Sequence, residues 1–267
     1  MQGDRLQLQR FEFKYVVSET AALVARDFVS AYLQLDENGV GKQDLSYPVH
    51  SVYLDSDDLK LYHQTINGDK NRYKLRIRFY NDNPESPLFL EIKKRSDNAI
   101  SKQRCALRRE GILDVLEGRI PSSTHILSKD PKHLCALENF VRLTMENRAK
   151  PKGHVAYYRE AWISPHDNSV RVTIDRSVRF DAEPTARFCT RMNKPVDVFG
   201  NQLVLELKFT GRFPMWFNEL VRALGVMQRS AAKYADGITV FGEEKLGSVC
   251  RPHNRPFDFS GTMKENR

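Results

Sequence analysis

The segment YKLRIRFY, residues 73–80, constrains the fold more than any other stretch of this chain. Lys74, Arg76 and Arg78 alternate with Leu75, Ile77 and Phe79, the period of two expected of a β-strand with one polar and one apolar face. The next candidate strand, FLEIKKR (89–95), sets Glu91, Lys93 and Arg95 on one face, and Lys102, Arg104, Arg108 and Arg109 crowd a third segment. Neighbouring strands thus gather positive charge side by side. A fold that accommodates them must turn those faces either to water or to an anion.

The remaining elements narrow the choice. LQRFEFKYVV (8–17) reads as a strand, and Ser18 is a helix N-cap before SETAALVARDFVSAYLQLD, which puts Leu23, Val24, Phe28 and Ala31 on one apolar face. YPVHSVYLDS is a strand followed by a short helix, and further strands fall at about 71–80, 87–95 and 99–109. A helical region spans about 112–147 with breaks near Pro121 and Pro131. Strands follow at 153–163, 169–175, about 177–183 and 202–209, then two short helices, PMWFNELVRALG and SAAKYADGI. No linker-like composition separates these elements, so residues 1–247 read as one α+β domain. The Pro- and Asn-rich segment 248–267 reads as a flexible tail.

Composition bears on the partner. Forty-two Lys and Arg against 34 Asp and Glu leave a net charge of +8, which favours an anionic ligand. Cys105, Cys135, Cys189 and Cys250 form no CxxC pair and have no histidine at zinc spacing, as expected of reduced thiols in a cytoplasmic protein. No signal peptide is recognisable, and no stretch reaches the ~20 apolar residues of a membrane span. The seven histidines are dispersed; His50, His63 and His154 read as packing or surface residues.

For one strand alone, a solvated polar face is as good a reading as any. Taken together, the strands suit a closed antiparallel eight-stranded barrel with a polar lumen, helices packed outside, and a closing C-terminal helix. Two like charges ~4 Å apart cost about 4 kcal/mol at an effective dielectric of 20, so a lumen of Lys and Arg is self-repelling until an anion enters. Arg76, Arg78, Arg104, Arg159 and Arg171 can each clamp phosphate oxygens with two donors. On this reading, loss of Arg76 or Arg78 abolishes turnover without unfolding the barrel. Glu12 with Lys14, Glu91 with Lys93 and Glu206 with Lys208 each share a strand face. One such pair reads as an intrastrand charge pair; three on neighbouring strands point to Mg²⁺ or Mn²⁺ on at least one carboxylate.

The ordered series FEFKY, SVYLDS, KLRIRFY, FLEIKKR, YYREAW, VRVTIDRSV, LELKF and AAKYADGI, spanning about residues 8–240, resembles the VTC (vacuolar transporter chaperone) domain. That is the polyphosphate polymerase branch of the CYTH-like, or triphosphate tunnel metalloenzyme, superfamily. The resemblance implies a triphosphate tunnel that moves the γ-phosphate of ATP onto a polyphosphate chain and releases ADP. It further implies phosphate contacts at Lys14, Arg76, Arg78, Lys93, Arg159, Arg171 and Lys233, with Lys102 favoured over Arg104 at the next basic position. Glu206 is the implied Mn²⁺ or Mg²⁺ ligand, and Lys208 shares its strand face. Tyr53 and Tyr157 are lumen candidates that packing alone would also explain. The superfamily's first-strand ExExK pattern is here Arg10-Phe11-Glu12-Phe13-Lys14; an Arg in place of the first Glu favours the VTC branch over the hydrolases.

Two rivals share this reading. Water as acceptor would give a tripolyphosphate or nucleoside triphosphate hydrolase. A non-catalytic module would bind polyphosphate or an inositol phosphate. RNA is disfavoured, because Phe and Tyr alternate against the charges as packing residues would. Coupling to a membrane would fall to a separate polypeptide, since this chain shows no span.

Overall fold

The computed structural model describes residues 10–247 apart from 98, 166 and 168; the expected tail, 248–267, lies outside the described residues. The first half comprises β1 (Arg10–Val17), α1 (Glu19–Ser30), β2 (Gln34–Leu35), β3 (Ser46–Asp55), α2 (Lys60–Ile66), β4 (Asn71–Phe79), β5 (Leu88–Ser96) and β6 (Ala99–Leu107). There follow α3 (Ile112–Leu116), α4 (Pro131–Glu146), β7 (Lys150–Ile163), β8 (Val170–Ala182), β9 (Val196–Asp197), β10 (Leu203–Thr210), α5 (Trp216–Leu224) and α6 (Lys233–Phe241). One antiparallel sheet runs β1-β10-β8-β7-β3-β4-β5-β6, with β2 paired to β7 and β9 to β8.

Apolar strand faces point outward onto helices. Leu75, Ile77 and Phe79 of β4 are fully buried with Leu90 of β5, Cys105 of β6, and Leu137 and Phe140 of α4. On the far wall, Tyr15, Ile174, Leu205 and Leu207 are buried against Ala22, Ala25 and Val29 of α1 and Phe217 and Leu220 of α5. Alternation then obliges the charged faces to turn inward, and the sheet curls around them. Its end strands β1 and β6 share no backbone ladder among the described residues, so the expected hydrogen-bonded, closed eight-stranded barrel is not what forms. Long side chains reach across the seam instead: Lys93 Nζ of β5 meets Glu12 Oε2 of β1 at 2.8 Å.

Two local expectations need correction and one holds. The α1 face that docks is Ala22, Ala25 and Val29, while Leu23 and Val24 are 42% and 45% exposed. Small residues at that spacing let the helix approach the sheet closely, which the larger side chains would prevent. The helical region over 112–147, expected with breaks near Pro121 and Pro131, forms as two helices, α3 and α4, with Asp130 capping α4 ahead of Pro131. The two segments separated near residue 176 are one strand, β8, bulged where Ser177 takes φ of +51°. The bulge shifts the alternation: Arg171 faces the cavity before it, and Val178 and Phe180 pack under α6 after it.

α6 is fastened by buried polar contacts. Asp55 Oδ1 accepts the Leu61 N–H at 2.8 Å, and its Oδ2 accepts the Tyr62 N–H at 2.9 Å and the Tyr234 hydroxyl at 3.1 Å. This joins β3, α2 and α6. Tyr234 stacks on Tyr53 with ring centroids 4.6 Å apart. Gly237 lies over Phe180, where an added Cβ would sit 2.5 Å from the ring.

Candidate functional site

The inward faces enclose a cavity of about 370 Å³. Lys14, Arg76, Arg78, Lys93, Lys102, Arg104, Arg159, Arg171, Lys208, Lys233 and Glu206, all singled out in the sequence, line it. So do Tyr53 and Tyr157, the two aromatic candidates, and Lys74, which carried no assigned role. Eleven cationic side chains therefore face one space, with Glu12 and Glu206 as the carboxylates at its surface.

Strand register explains the grouping. Across β4, β5 and β6, Arg76 lies opposite Glu91, which lies opposite Arg104. Glu91 is 1% exposed; Arg76 and Lys102 each approach it to 2.7 Å, Arg104 to 3.6 Å and Arg78 to 3.8 Å. Burial alone would raise its pKa, but Arg76, Arg78 and Lys102 hold the carboxyl far below the usual range. Arg76 donates to the Tyr53 hydroxyl at 3.0 Å and Arg78 to that of Tyr157 at 3.2 Å. The Arg104 guanidinium lies 3.7 Å over the Phe89 ring. The wall is thus partly compensated. The expectation that removing Arg76 relieves a self-repelling lumen no longer follows, because that arginine also screens Glu91.

The opposite wall centres on Glu206. Across β1, β10 and β8, Lys14 lies opposite Glu206 and Lys208 opposite both Glu12 and Arg171. Lys233, at the start of α6, reaches Glu206 at 2.9 Å and Asp175 at 2.7 Å, and Lys208 also pairs with Glu206. Arg159 grips Asp175 with two hydrogen bonds of 2.7 Å. Burial opposes ionisation of Glu206, yet Lys208, Lys233, Lys14 and Arg159 keep its pKa well below normal. Burial likewise opposes the charge on Lys233, and Asp175 and Glu206 overcome it to raise its pKa. Lys208 is pushed down to about 8 by burial, against the pull of Glu206. Arg171 is held by Asp36 at 2.8 Å, just past β2.

Sequence reasoning left out Asp175, Asp36 and Lys74. Asp175 was accessible, since it lies on the same face of VRVTID as Arg171. Asp36 follows a two-residue strand that no periodicity marks. His50 and His154 are buried and paired at 3.0 Å (Nδ1 to Nε2), and burial lowers both pKa values to about 4; His63 is exposed. They are packing and surface residues, as read.

Among the described residues no three His, Cys, Asp or Glu side chains form a metal cage. Glu206 instead offers one hard carboxylate among lysines that a phosphate would attract away. One carboxylate completed by substrate oxygens is a normal Mg²⁺ arrangement, so the donor set fits a metal that arrives with phosphate.

A curled antiparallel sheet with helices outside and cations inside defines an α+β protein built around a cationic cavity. The model of the VTC domain matches residues 9–241, and the chain belongs to that family. Vacuolar transporter chaperone complex subunit 2 of Schizosaccharomyces pombe is 25% identical over 165 residues, 58% of this chain and 22% of that protein. Subunit 4 of the Trypanosoma cruzi complex is 26% identical over 226 residues, 73% of this chain and 28% of that protein. The aligned region thus spans about a quarter of each of these curated relatives. A Bacillus halodurans structure provisionally assigned as an adenylate cyclase aligns over 88% of this chain and 98% of its own, at 16% identity and a TM-score of 0.46. That likeness carries no functional weight. No helix among the described residues is long and apolar enough to cross a membrane.

Proposed function

We propose that this domain is a polyphosphate polymerase that transfers the γ-phosphoryl group of ATP onto a polyphosphate chain within a triphosphate tunnel and releases ADP. The observation that carries the reading is the convergence of ten anticipated cations and Glu206 on one cavity, in a member of the VTC family. Phosphoryl transfer needs little beyond alignment and neutralisation of the charge spread over the moving group. Arg76, Arg78, Lys93, Arg159 and Arg171 supply that charge around the transferring phosphoryl; Lys14, Lys102, Arg104, Lys208 and Lys233 hold the phosphates on either side. Arg76 and Arg78 are oriented by Tyr53 and Tyr157, so their forks are fixed before substrate arrives. Mn²⁺ or Mg²⁺ would be held by Glu206 and would neutralise phosphate charge there.

A transferase fits this cavity better than a hydrolase. Glu12 and Glu206 are both ion-paired, with pKa values pulled far below neutrality, which makes them poor bases for activating water. A phosphate acceptor is already ionised and needs no base. Any protein or membrane partner would act through surfaces outside this cavity, and inositol phosphate binding at the same cavity would make the domain a sensor.

The test is to incubate the protein with ATP and Mn²⁺ or Mg²⁺ and resolve products on a gel stained for polyphosphate. A ladder is expected, weakened on the order of 10²–10³-fold in Glu206→Ala. Free phosphate without a ladder would make the domain a hydrolase. Neither product, with tight binding of added polyphosphate, would make it a binding module.

A further inference from the structure

A second chamber of about 390 Å³ opens off the first and shares Glu12, Lys14, Lys74, Lys93, Ile100 and Ala232 with it. Its own lining adds Arg72, Lys94, Arg95 and Arg229. Lys74 stands at the junction in a row of three lysines, directly opposite Lys93, which is opposite Lys102. Like charges so placed are destabilising. Lys93 is relieved by Glu12 at 2.8 Å and Lys102 by Glu91 at 2.7 Å. Lys74 has no ion-pair partner among the described residues.

We propose that Lys74 is a proton-linked contact for the polyphosphate chain: part of its population is neutral in the empty cavity and takes a proton from solvent onto Nζ when chain phosphates cross the junction. The inference rests on the polyanion reading above and deepens it. The groups facing Lys74 are Lys14 and Glu12 of β1, Arg72 of its own strand, Lys93 of β5, Asp236 of α6, and Arg229 ahead of α6. Glu12 is engaged by Lys93 and Lys14, so repulsion dominates. Burial, then Lys14, Lys93 and Arg72, push the Lys74 pKa down to about 7. A phosphate reverses that balance by supplying the missing counter-charge. Chain affinity should therefore be fully supported below about pH 7 and weaken as pH rises past it, up to tenfold per unit for one linked proton.

The experiment is titration calorimetry at about pH 7.5 with sodium polyphosphate long enough to span both chambers, repeated in buffers of different ionisation enthalpy. Internal phosphates of such chains are fully ionised, so the ligand itself contributes few protons. Wild type should take up roughly half a proton or more beyond that of Lys74→Gln. Lys74→Arg, which cannot deprotonate, should bind at least as tightly as wild type while showing the reduced uptake of Lys74→Gln. Equal uptake in all three proteins would overturn the proposal while leaving the tunnel reading intact. No binding by wild type would overturn both.

Discussion

Glu91 gathers Arg76, Arg78, Lys102 and Arg104 around one carboxylate, whereas across the cavity Glu206 and Asp175 divide Lys14, Arg159, Lys208 and Lys233 between them. The first cluster rests entirely on adjacent sheet strands, fixed by register. The second includes Lys233, which belongs to a helix off the sheet. A single anion shared by four cations has no substitute. Two anions with overlapping partners buffer the loss of either. The Glu91 wall is therefore suited to permanent architecture, and the Glu206 wall to exchanging partners when phosphate enters.

The largest expected effect tests that asymmetry. Glu91→Gln should destabilise the ligand-free protein by about 3–5 kcal/mol, because it leaves buried and half-buried cations uncompensated. Asp175→Asn should cost clearly less, since Arg159 and Lys233 both retain Glu206 within 4 Å. Urea unfolding of the two variants gives the comparison directly, and saturating tripolyphosphate should restore part of the Glu91→Gln loss. Equal destabilisation would show that the clusters are equivalent.

How much of this was legible in the sequence follows from what alternation encodes. Period-two patterning identified the strands, and the count of charged faces was enough to place Lys14, Arg76, Arg78, Lys93 and Glu206 on one side of them. The same patterning singled out Lys102, Arg104, Arg159, Arg171 and Lys208, and the family resemblance added Lys233. Alternation says nothing of which cation meets which carboxylate, because that depends on how strands distant in the chain come together, as with Lys93 and Glu12 across the open seam. It also broke at Ser177, where a bulge made one strand look like two. On α1, Leu23 and Val24 suggested the wrong face, since close docking selects Ala22 and Ala25 over them, while Phe28 packs against the core as expected. Lys74 went unassigned because an unpaired lysine looks, in sequence, like its paired neighbours.

A smaller effect should follow from unseating α6. Gly237→Ala drives a methyl group into Phe180 near its Cβ, at 2.8 Å, where the ring has little room to move. Roughly 1–3 kcal/mol of stability should be lost, a normal cost of overpacking. If the Glu206 wall depends on the helix while the Glu91 wall does not, polymer synthesis should fall by more than this loss of folded protein explains. An unchanged rate per folded molecule would mean that Lys233 reaches Glu206 however α6 is seated.

The smallest effect is the dependence of stability on pH, and its sign separates a repulsive lysine row from a harmless one. Burial and neighbouring charge lower the Lys74 pKa to about 7, and burial with only partial relief from Glu91 lowers that of Lys102 to about 8. Burial also lowers that of Lys208 on the opposite wall to about 8, despite Glu206. In the unfolded chain all three return to about 10.4. Between these values the unfolded state binds more protons than the folded one, so unfolding free energy rises with pH. The stabilisation is complete above the unfolded value and is lost as pH falls through the folded ones. Lys102 contributes the lesser share, because 45% of its side chain is exposed and water screens it. The melting temperature of ligand-free protein should therefore climb from about pH 7 to pH 9, by roughly 1–2 kcal/mol in stability. The buried His50–His154 pair gives a separate loss at lower pH, between the unfolded value near 6.5 and the folded value of about 4. Saturating tripolyphosphate should flatten the upper slope, since its charge keeps the lysines protonated. An upper slope that is absent without ligand would mean that the row Lys74–Lys93–Lys102 is already neutralised, and that the two walls differ less than their carboxylates suggest.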